Sequence, residues 1–319
     1  MAGWWIWITR PSRFGANESD RLKLGSTGLL KRDELVKTSV LECAQDAVAK
    51  RLLSIRGSRI FRSDYPRYTI SVEGSLVPGV TRQDFWDDLI NGDGNELSDT
   101  PKAPAKFCAA YSSAALVVNT FGPFRHSAEL LALAGYSDFR KAQFERKCST
   151  GLKGRKPNLD FVVGGLKAVV AVESKFLEII RPVKPVEFRR SYGSVIRTNA
   201  EPAWKGIYEA LLDDPMKFIH LDAAQLVKHY LGIRNTFRDC QADKVLVYLF
   251  WEPTNAEDIS EFREHRREVT SFSRVVEASD VRFIALSYSE LWRYWSKTSS
   301  WSGTIAHIDV LKQRYELSI

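Results

Sequence analysis

Two short apolar runs near the middle of the chain predict a β-hairpin. Residues 158–163 and 168–172 are rich in β-branched and aromatic side chains, and a Gly-Gly pair follows the first run. Runs of this length joined at glycines are typical of antiparallel strands connected by a tight turn. The second run ends in Glu173-Ser174-Lys175, which places charged side chains at the end of an apolar strand.

The later part of the chain alternates predicted strands and helices. Residues 244–251 form an apolar run, residues 254–276 carry apolar side chains at helical spacing, and residues 281–286 are apolar again. A strand, a helix and a strand in this order favour a right-handed parallel crossover. Joined to the hairpin, they predict an α/β fold with a mixed central sheet flanked by helices.

Local signals predict several further elements. Asp222 and Gln225 have the spacing of a capping box, in which the acid caps the first turn of a helix and the glutamine reaches back. Gly232 would then end that helix after about nine residues. Apolar spacing also predicts helices over residues 32–53, 108–118 and 127–134 and a strand over residues 68–72.

Turn-forming residues predict a division of the chain near residue 104. Glycine, asparagine, aspartate and proline are concentrated in residues 91–95 and 99–104, and such clusters mark loops. We therefore expect residues 1–104 to be an N-terminal elaboration that packs on or extends the core. Residues 105–319 would form the main domain.

Composition narrows the classes of function. Residues 4–8 are apolar, but they are too few to span a membrane and follow no basic leader. The four cysteines contain no Cys-x-x-Cys pair and the five histidines are widely spaced, which argues against a zinc site. We expect a cytoplasmic protein without a membrane partner.

Asp160, Glu173 and Lys175 are the candidate catalytic residues. Alternate side chains of a strand point to the same face, so Glu173 and Lys175 converge. In a hairpin Asp160 would lie on the neighbouring strand, and cross-strand neighbours are about 5 Å apart. Two carboxylates at that distance repel each other unless a cation binds them. The alternative is a solvent-facing hairpin edge, but the buried character of residues 168–172 argues against it.

Basic residues are concentrated on both sides of these carboxylates. The chain has 46 Lys and Arg against 39 Asp and Glu, a net charge of +7. Clustered cations beside a carboxylate pocket suit a nucleic-acid partner, because they hold backbone phosphates while the pocket holds a cation. A solvated basic face is the alternative. The candidate phosphate contacts are Arg146, Lys147, Lys153, Arg155, Lys156, Arg189 and Arg190.

These motifs resemble the PD-(D/E)XK nuclease superfamily, which has the restriction-endonuclease-like fold. Pro157-Asn158-Leu159-Asp160 and Glu173-Ser174-Lys175 stand for its two motif halves, with Asn-Leu where the name-giving motif has Asp directly after Pro. Residues 112–116, 119–124 and 222–229 resemble a bacterial branch named as restriction endonucleases. The resemblance covers about residues 106–295.

The resemblance implies an αβββαβ core and a nuclease that depends on Mg²⁺ or Mn²⁺. Asp160 and Glu173 would bind the cation, and the backbone carbonyl of Ser174 is a further candidate ligand. Lys175 would orient the attacking water or stabilise charge in the transition state.

A third carboxylate usually completes such a site. Glu145 is the preferred candidate because it precedes the hairpin on a strand-like segment, and Glu129 is the alternative. Glu178 is a weaker option just past the strand. Gln225 resembles a polar helix residue that some superfamily members aim at the site, and the capping box explains it equally well.

Three classes of function are therefore open. The leading expectation is a metal-dependent nuclease acting on double-stranded DNA in restriction, repair or antiphage defence, for which a two-fold homodimer would cut both strands. The second is a nuclease-fold protein that binds nucleic acid without cleaving it. The third is a partner-binding protein in which Trp292, Trp295 and Trp301 would form an interface.

Overall fold

The structure, a computed structural model, describes residues 27–92 and 95–319, and only the backbone of residues 27–39. The chain divides into two compact units, Met1–Val36 and Lys37–Ile319, and the second contains the sheet. Residues 4–8 lie outside the described residues, as does the centre of the turn predicted at 91–95. The domain boundary near residue 104 stays a prediction.

A mixed five-stranded sheet lies at the centre of the second unit. Its strands are β1 (Phe139–Lys147), β2 (Asn158–Gly165), β3 (Ala168–Lys175), β4 (Asp243–Phe250) and β5 (Val281–Ser287). They lie in the order of their numbers: β2 is antiparallel to both β1 and β3, and β3, β4 and β5 are parallel to one another. The predicted hairpin, the later strands and the α/β class are confirmed.

Two hydrophobic cores cover the faces of this sheet. Phe161 and Val172 pack in one core, whereas their strand neighbours Val162 and Ala171 pack in the other. Successive residues of a strand face opposite sides, so the cores lie on opposite faces. The helices are α1 (Thr27–Arg56), α2 (Trp86–Ile90), α3 (Ser113–Phe121), α4 (Arg190–Asn199), α5 (Pro202–Asp213), α6 (Ala223–Thr236), α7 (Ser260–Val275), α8 (Tyr288–Thr298) and α9 (Thr304–Tyr315).

Residues of α3, α8 and α9 pack in the first core, and residues of α4, α5 and α6 pack in the second. The helix predicted over residues 32–53 is confirmed as part of α1. The one predicted from residue 108 begins only at Ser113, because the Ser112 hydroxyl accepts the Ala115 amide and so caps the helix there. Similarly, α7 begins at Ser260, after a 3₁₀ turn at Ala256–Asp258.

Three local predictions are wrong. Residues 68–72 form isolated bridges and lead into a 3₁₀ turn, because the Thr69 hydroxyl bonds to Ser71 and Ser75 within the segment. Residues 127–134 form no α-helix: they contain the 3₁₀ turn Ala128–Leu130 and an isolated bridge from Leu133 to Tyr136. Gly232 lies inside α6, which continues to Thr236. Glycine is needed there for close packing, because a Cβ would come within 3.0 Å of the Cys148 carbonyl oxygen.

Candidate active site

Asp160 and Glu173 lie opposite each other on the paired strands β2 and β3. The register joins Phe161 to Val172, and one step further along both strands brings Asp160 opposite Glu173. Opposed residues of an antiparallel pair point to the same face. The side chain of Glu173 contacts His229 on α6, so both carboxylates face the α6 side of the sheet.

Glu173 is a buried carboxylate held between two nitrogen groups. Its side chain is 3% exposed, and Lys175 Nζ donates a hydrogen bond to Glu173 Oε1 at 2.6 Å. The Nε2 atom of His229 lies 2.9 Å from Glu173 Oε2. Burial acts to raise the pKa of Glu173, but Lys175 and His229 together outweigh it and lower the pKa to about 2. Glu173 is therefore negatively charged at neutral pH.

Lys175 bridges the strand and the helix. Its Nζ also donates to Gln225 Oε1 at 2.8 Å. Burial acts to lower the pKa of Lys175, but the carboxylates of Glu173 and Glu178 raise it above its ordinary value. Lys175 is therefore a fixed cation. The predicted cap by Asp222 is confirmed, since its Oδ1 accepts the Gln225 amide at 2.8 Å, but the Gln225 side chain turns into the site instead of reaching back.

Asp160 is hydrogen-bonded to the backbone at the end of β3. The backbone amide of Ser174 donates to Asp160 Oδ2 at 2.6 Å. On the other face of the strand, the Ser174 hydroxyl lies 2.6 Å from the Tyr288 hydroxyl. Burial, followed by the charges of Glu173 and Glu145, raises the pKa of Asp160 well above its ordinary value. Glu173 and Glu145 are thus close enough for their charges to disfavour the ionised form of Asp160.

Glu145 comes next to Asp160 across the first strand pair. It lies on β1 between two ladder pairs, at the position opposite Asp160, with a φ of 50°. A non-glycine residue in this left-handed conformation is strained, and such residues gather at functional sites. The side-chain amide of Asn158 donates to the Glu145 carboxylate.

Of the other two candidate carboxylates, only Glu178 is close enough for its charge to act on Lys175. Glu129 is exposed on its 3₁₀ turn, and among the described contacts it makes none with Asp160, Glu173 or Lys175. Glu178 follows β3, where its carboxylate accepts the Phe176 amide at 2.6 Å.

The donor set at the strand ends fits a hard divalent cation in part. Asp160 and Glu173 offer carboxylate oxygens, the ligands that Mg²⁺ prefers. Glu173 Oε2 is buried and has no aligned hydrogen-bond partner, even though His229 Nε2 is nearby. Such an atom is costly unless a cation or water satisfies it. Among residues 40–92 and 95–319, however, no three His, Cys, Asp or Glu side chains converge closely enough to hold a metal ion.

An open cleft of about 530 Å³ leads to this cluster, and we call it the basic cleft. Gln225 and His229, which contact Lys175 and Glu173, form one part of its wall. Cations form another part: Lys153, Arg155, Lys156, Arg189 and Lys228.

Three of the predicted phosphate contacts do not line the basic cleft. Arg146 and Lys147 line a smaller pocket beside Glu145, and Arg190 is exposed at the start of α4. Lys228 lines the basic cleft and His229 contacts Glu173, and neither was predicted as a site residue. The available signal was helical spacing, because His229 lies one turn after Gln225 and so shares its face of α6.

The C-terminal tryptophans belong to the core rather than to an exposed surface. Trp292 and Trp295 are 1% and 2% exposed, and Trp301 packs edge-on against Phe124. The prediction that these tryptophans form an exposed interface is therefore not supported, because Trp292 and Trp295 are buried in the core. No helix in the described part of the chain is both long and apolar enough to cross a membrane.

Comparison with known protein families identifies a match over most of the chain. A family model described as "Restriction Endonuclease associating with ARP" matches residues 44–316, which include the whole sheet and the carboxylate cluster. No curated protein and no solved structure matches the chain significantly.

Proposed function

The chain belongs to the family described as Restriction Endonuclease associating with ARP, and on that premise we propose that it is a metal-dependent nuclease that hydrolyses phosphodiester bonds in DNA. The observation that carries this proposal is the convergence of Asp160, Glu173 and Lys175 beside the basic cleft. When bound, Mg²⁺ or Mn²⁺ would neutralise charge on the phosphate and lower the pKa of a bound water.

The side chains of the cluster would have different roles in the reaction. Asp160 and Glu173 would hold the cation, with the Ser174 carbonyl and Glu145 as further ligands, directly or through water. Lys175 is fixed by Glu173 and Gln225, and its raised pKa keeps it charged. In this proposal Lys175 orients the attacking water and stabilises negative charge on the phosphate, and it does not take up a proton.

The basic cleft supports a polyanionic substrate. Lys153, Lys156 and Arg189 would bind backbone phosphates on the approach to the cluster. Contacts of this kind position a strand without reading its sequence. DNA as the substrate follows from the family's name, and a homodimer remains part of the proposal for cutting both strands of a duplex.

One observation favours a second candidate, a nucleic-acid-binding protein without cleavage. Within the described residues, the cluster lacks a third His, Cys, Asp or Glu close enough to complete a metal site. The basic cleft would then bind nucleic acid while Glu173 and Lys175 remained a buried ion pair.

Incubation with supercoiled plasmid and with labelled RNA separates the two candidates. We expect plasmid nicking by the wild type with Mg²⁺ or Mn²⁺ and none with a chelator. Asp160→Asn and Lys175→Met should lose activity, whereas Glu129→Gln, a matched exposed carboxylate, should retain it. Retardation of DNA in a gel without nicking would support the binding protein instead. Equal cleavage by wild type, Asp160→Asn and Lys175→Met would overturn the assignment of the site.

A further inference from the structure

A second cavity of about 530 Å³ lies on the opposite side of the sheet from the basic cleft. Leu41 and Leu177 line it, and both belong to the core that contains Phe161. Tyr192 of the basic cleft packs instead against the other core. We call this cavity the tyrosine pocket, because Tyr68 and Tyr111 form part of its wall.

The two tyrosines are half-buried and present rings and hydroxyl groups together. Their rings meet edge to face with centroids 6.1 Å apart, and their hydroxyl oxygens are 3.4 Å apart. Aromatic rings in a pocket wall suit a flat ligand, and the hydroxyls suit one with hydrogen-bonding groups at its edge.

The charge of the pocket is balanced. Lys106 and Arg181 line it together with Glu96 and Glu178, and Lys106 pairs with Glu96 at 3.1 Å. The basic cleft, by contrast, has five cations in its wall against Glu187 and Asp222. The pocket therefore does not select a polyanion. A flat, polar, uncharged group such as a nucleobase fits it better, and Arg181, which is exposed, can meet the adjoining phosphate.

The pocket begins where the catalytic strand ends. Leu177 and Glu178 line it, two and three residues after Lys175. The Glu178 carboxylate is tied to the Phe176 amide at 2.6 Å, which fixes this wall of the pocket to the end of β3. The basic cleft and the tyrosine pocket thus flank the same strand end from its two faces.

We propose that the tyrosine pocket binds an unstacked nucleobase, stacked on Tyr111 or Tyr68, from nucleic acid whose backbone lies in the basic cleft. The volume is within the range of about 300–1,000 Å³ that small-molecule sites occupy. Extrusion of a base into such a pocket is an established way of gaining selectivity, since unpaired or mismatched bases leave the stack more easily. The proposal rests on the proposed function only in that nucleic acid is the partner, and it does not require cleavage.

Binding and crosslinking in chelator test this role. Oligonucleotides carrying a photoreactive 5-iodouracil, single-stranded or duplex, are expected to crosslink to Tyr68 or Tyr111, as located by mass spectrometry. Loss of one stacked base should weaken binding of Tyr111→Ala by roughly five- to a hundredfold in fluorescence anisotropy. Tyr111→Phe keeps the stacking ring and should lose much less affinity than Tyr111→Ala. Arg181→Ala should also bind more weakly, whereas Arg293→Ala, an exposed arginine that lines neither cavity, should not.

A second binding experiment with free nucleoside monophosphates tests whether the base can come from a free nucleotide as well as from a nucleic-acid strand. Saturable binding that Tyr111→Ala abolishes supports the nucleobase site, with free nucleotides as a source. Unchanged affinity of both Tyr111→Ala and Arg181→Ala, with crosslinks only in the basic cleft, overturns the proposal. Arg181→Ala alters an exposed side chain, so it decides the matter even if Tyr111→Ala fails to fold.

Failure of the two proposals is distinguishable. If the wild type cleaves DNA but forms no crosslink to the tyrosines, the nucleobase site is refuted and the nuclease proposal stands. If binding depends on Tyr111 but no cleavage occurs, the nuclease proposal is refuted and the nucleobase site stands.

Discussion

Replacement of Asp160 by asparagine should stabilise the protein while abolishing cleavage. The change removes one of two carboxylates that lie opposite each other on β2 and β3. It keeps an oxygen that can accept the Ser174 amide, which now lies 2.6 Å from Asp160 Oδ2. A carboxylate that served only in a structural ion pair would behave in the opposite way, because its loss leaves a buried charge without a partner.

The size of the gain follows from the geometry of the strand pair. Two unit charges about 5 Å apart repel by roughly 3 kcal/mol at an effective dielectric constant of about 20. Asp160 is half-buried, so solvent screens part of this repulsion. A neutral acceptor also weakens the bond from Ser174 by about 1 kcal/mol. We expect a net increase of about 1–2 kcal/mol in the free energy of unfolding.

The increase in the free energy of unfolding caused by Asp160→Asn must depend on pH. Burial, then Glu173 and Glu145, raises the pKa of Asp160 in the folded protein above its unfolded value. The folded state therefore holds this proton more tightly than the unfolded chain. The penalty from the ionised carboxylate is absent below the unfolded value of about 4 and grows as pH rises through the folded value. Asparagine removes that penalty, so the stabilisation should be largest at pH 8 and small near pH 4.

Urea denaturation in chelator at pH 8 and pH 4.5, followed by tryptophan fluorescence, measures this effect. At pH 8 we expect the free energy of unfolding to rise by about 1–2 kcal/mol, and in a parallel thermal melt the melting temperature should rise by about 2–4 °C for each kcal/mol gained. Glu129→Gln removes an exposed carboxylate outside the cluster and should leave both values unchanged. A less stable Asp160→Asn at pH 8, or a gain that is the same at both pH values, would refute the electrostatic reasoning.

Three further changes test other parts of the molecule. Lys175→Met should destabilise the fold by about 3–5 kcal/mol and raise the pKa of Glu173 above its present value of about 2, as measured by urea denaturation between pH 4 and 8. Lys156→Ala should weaken DNA binding equally for all sequences and reduce the slope of log K against log salt by about 1; an unchanged slope in anisotropy titrations would exclude a phosphate contact. Trp204→Ala should cost about 3–5 kcal/mol in a thermal melt, because its ring is buried and stacks on Tyr230 at 4.3 Å.

The sheet and the charged end of β3 were predictable because their causes are local. The side chains of residues 168–172 are all buried, as their apolar run indicates. The two runs are paired antiparallel strands as predicted, but Gly164 and Gly165 end β2, and the turn itself lies at residues 166–167. The two-residue period then brings Glu173 and Lys175 to one face, where Lys175 Nζ is 2.6 Å from Glu173 Oε1.

The contributions of α6 to the site were not predictable in the same way. Asp222 caps the helix by accepting the backbone amide of Gln225. The side chain of Gln225 can therefore hydrogen-bond either back to the start of the helix or to a residue distant in sequence. Lys175 is that distant residue, and only the packing of α6 on β3 brings them within 2.8 Å. Because the sequence leaves both roles of Gln225 open, it does not single out His229, which lies one turn later on the same face of the helix.

Elsewhere tertiary contacts overrode local propensity. Thr69 has high strand propensity, but its hydroxyl bonds to Ser75 and its amide donates to Cys108, so the segment turns instead of extending. Gly232 has the residue type of a helix cap, but the close approach of Cys148 is what requires glycine there. The positive φ of Glu145 has no sequence signal, since glutamate rarely adopts it.

The cluster at the strand ends is not explained by stability. A buried ion pair such as Glu173–Lys175 can often be replaced by apolar residues with no loss, or with a gain. The ionised form of Asp160 is disfavoured by its surroundings, and the backbone of Glu145 is strained. Three unfavourable features therefore meet at one point beside a cleft lined with cations. Costs concentrated in this way are expected where side chains are held ready for a ligand, because a cation and a phosphate would relieve the repulsion and use the fixed ammonium of Lys175.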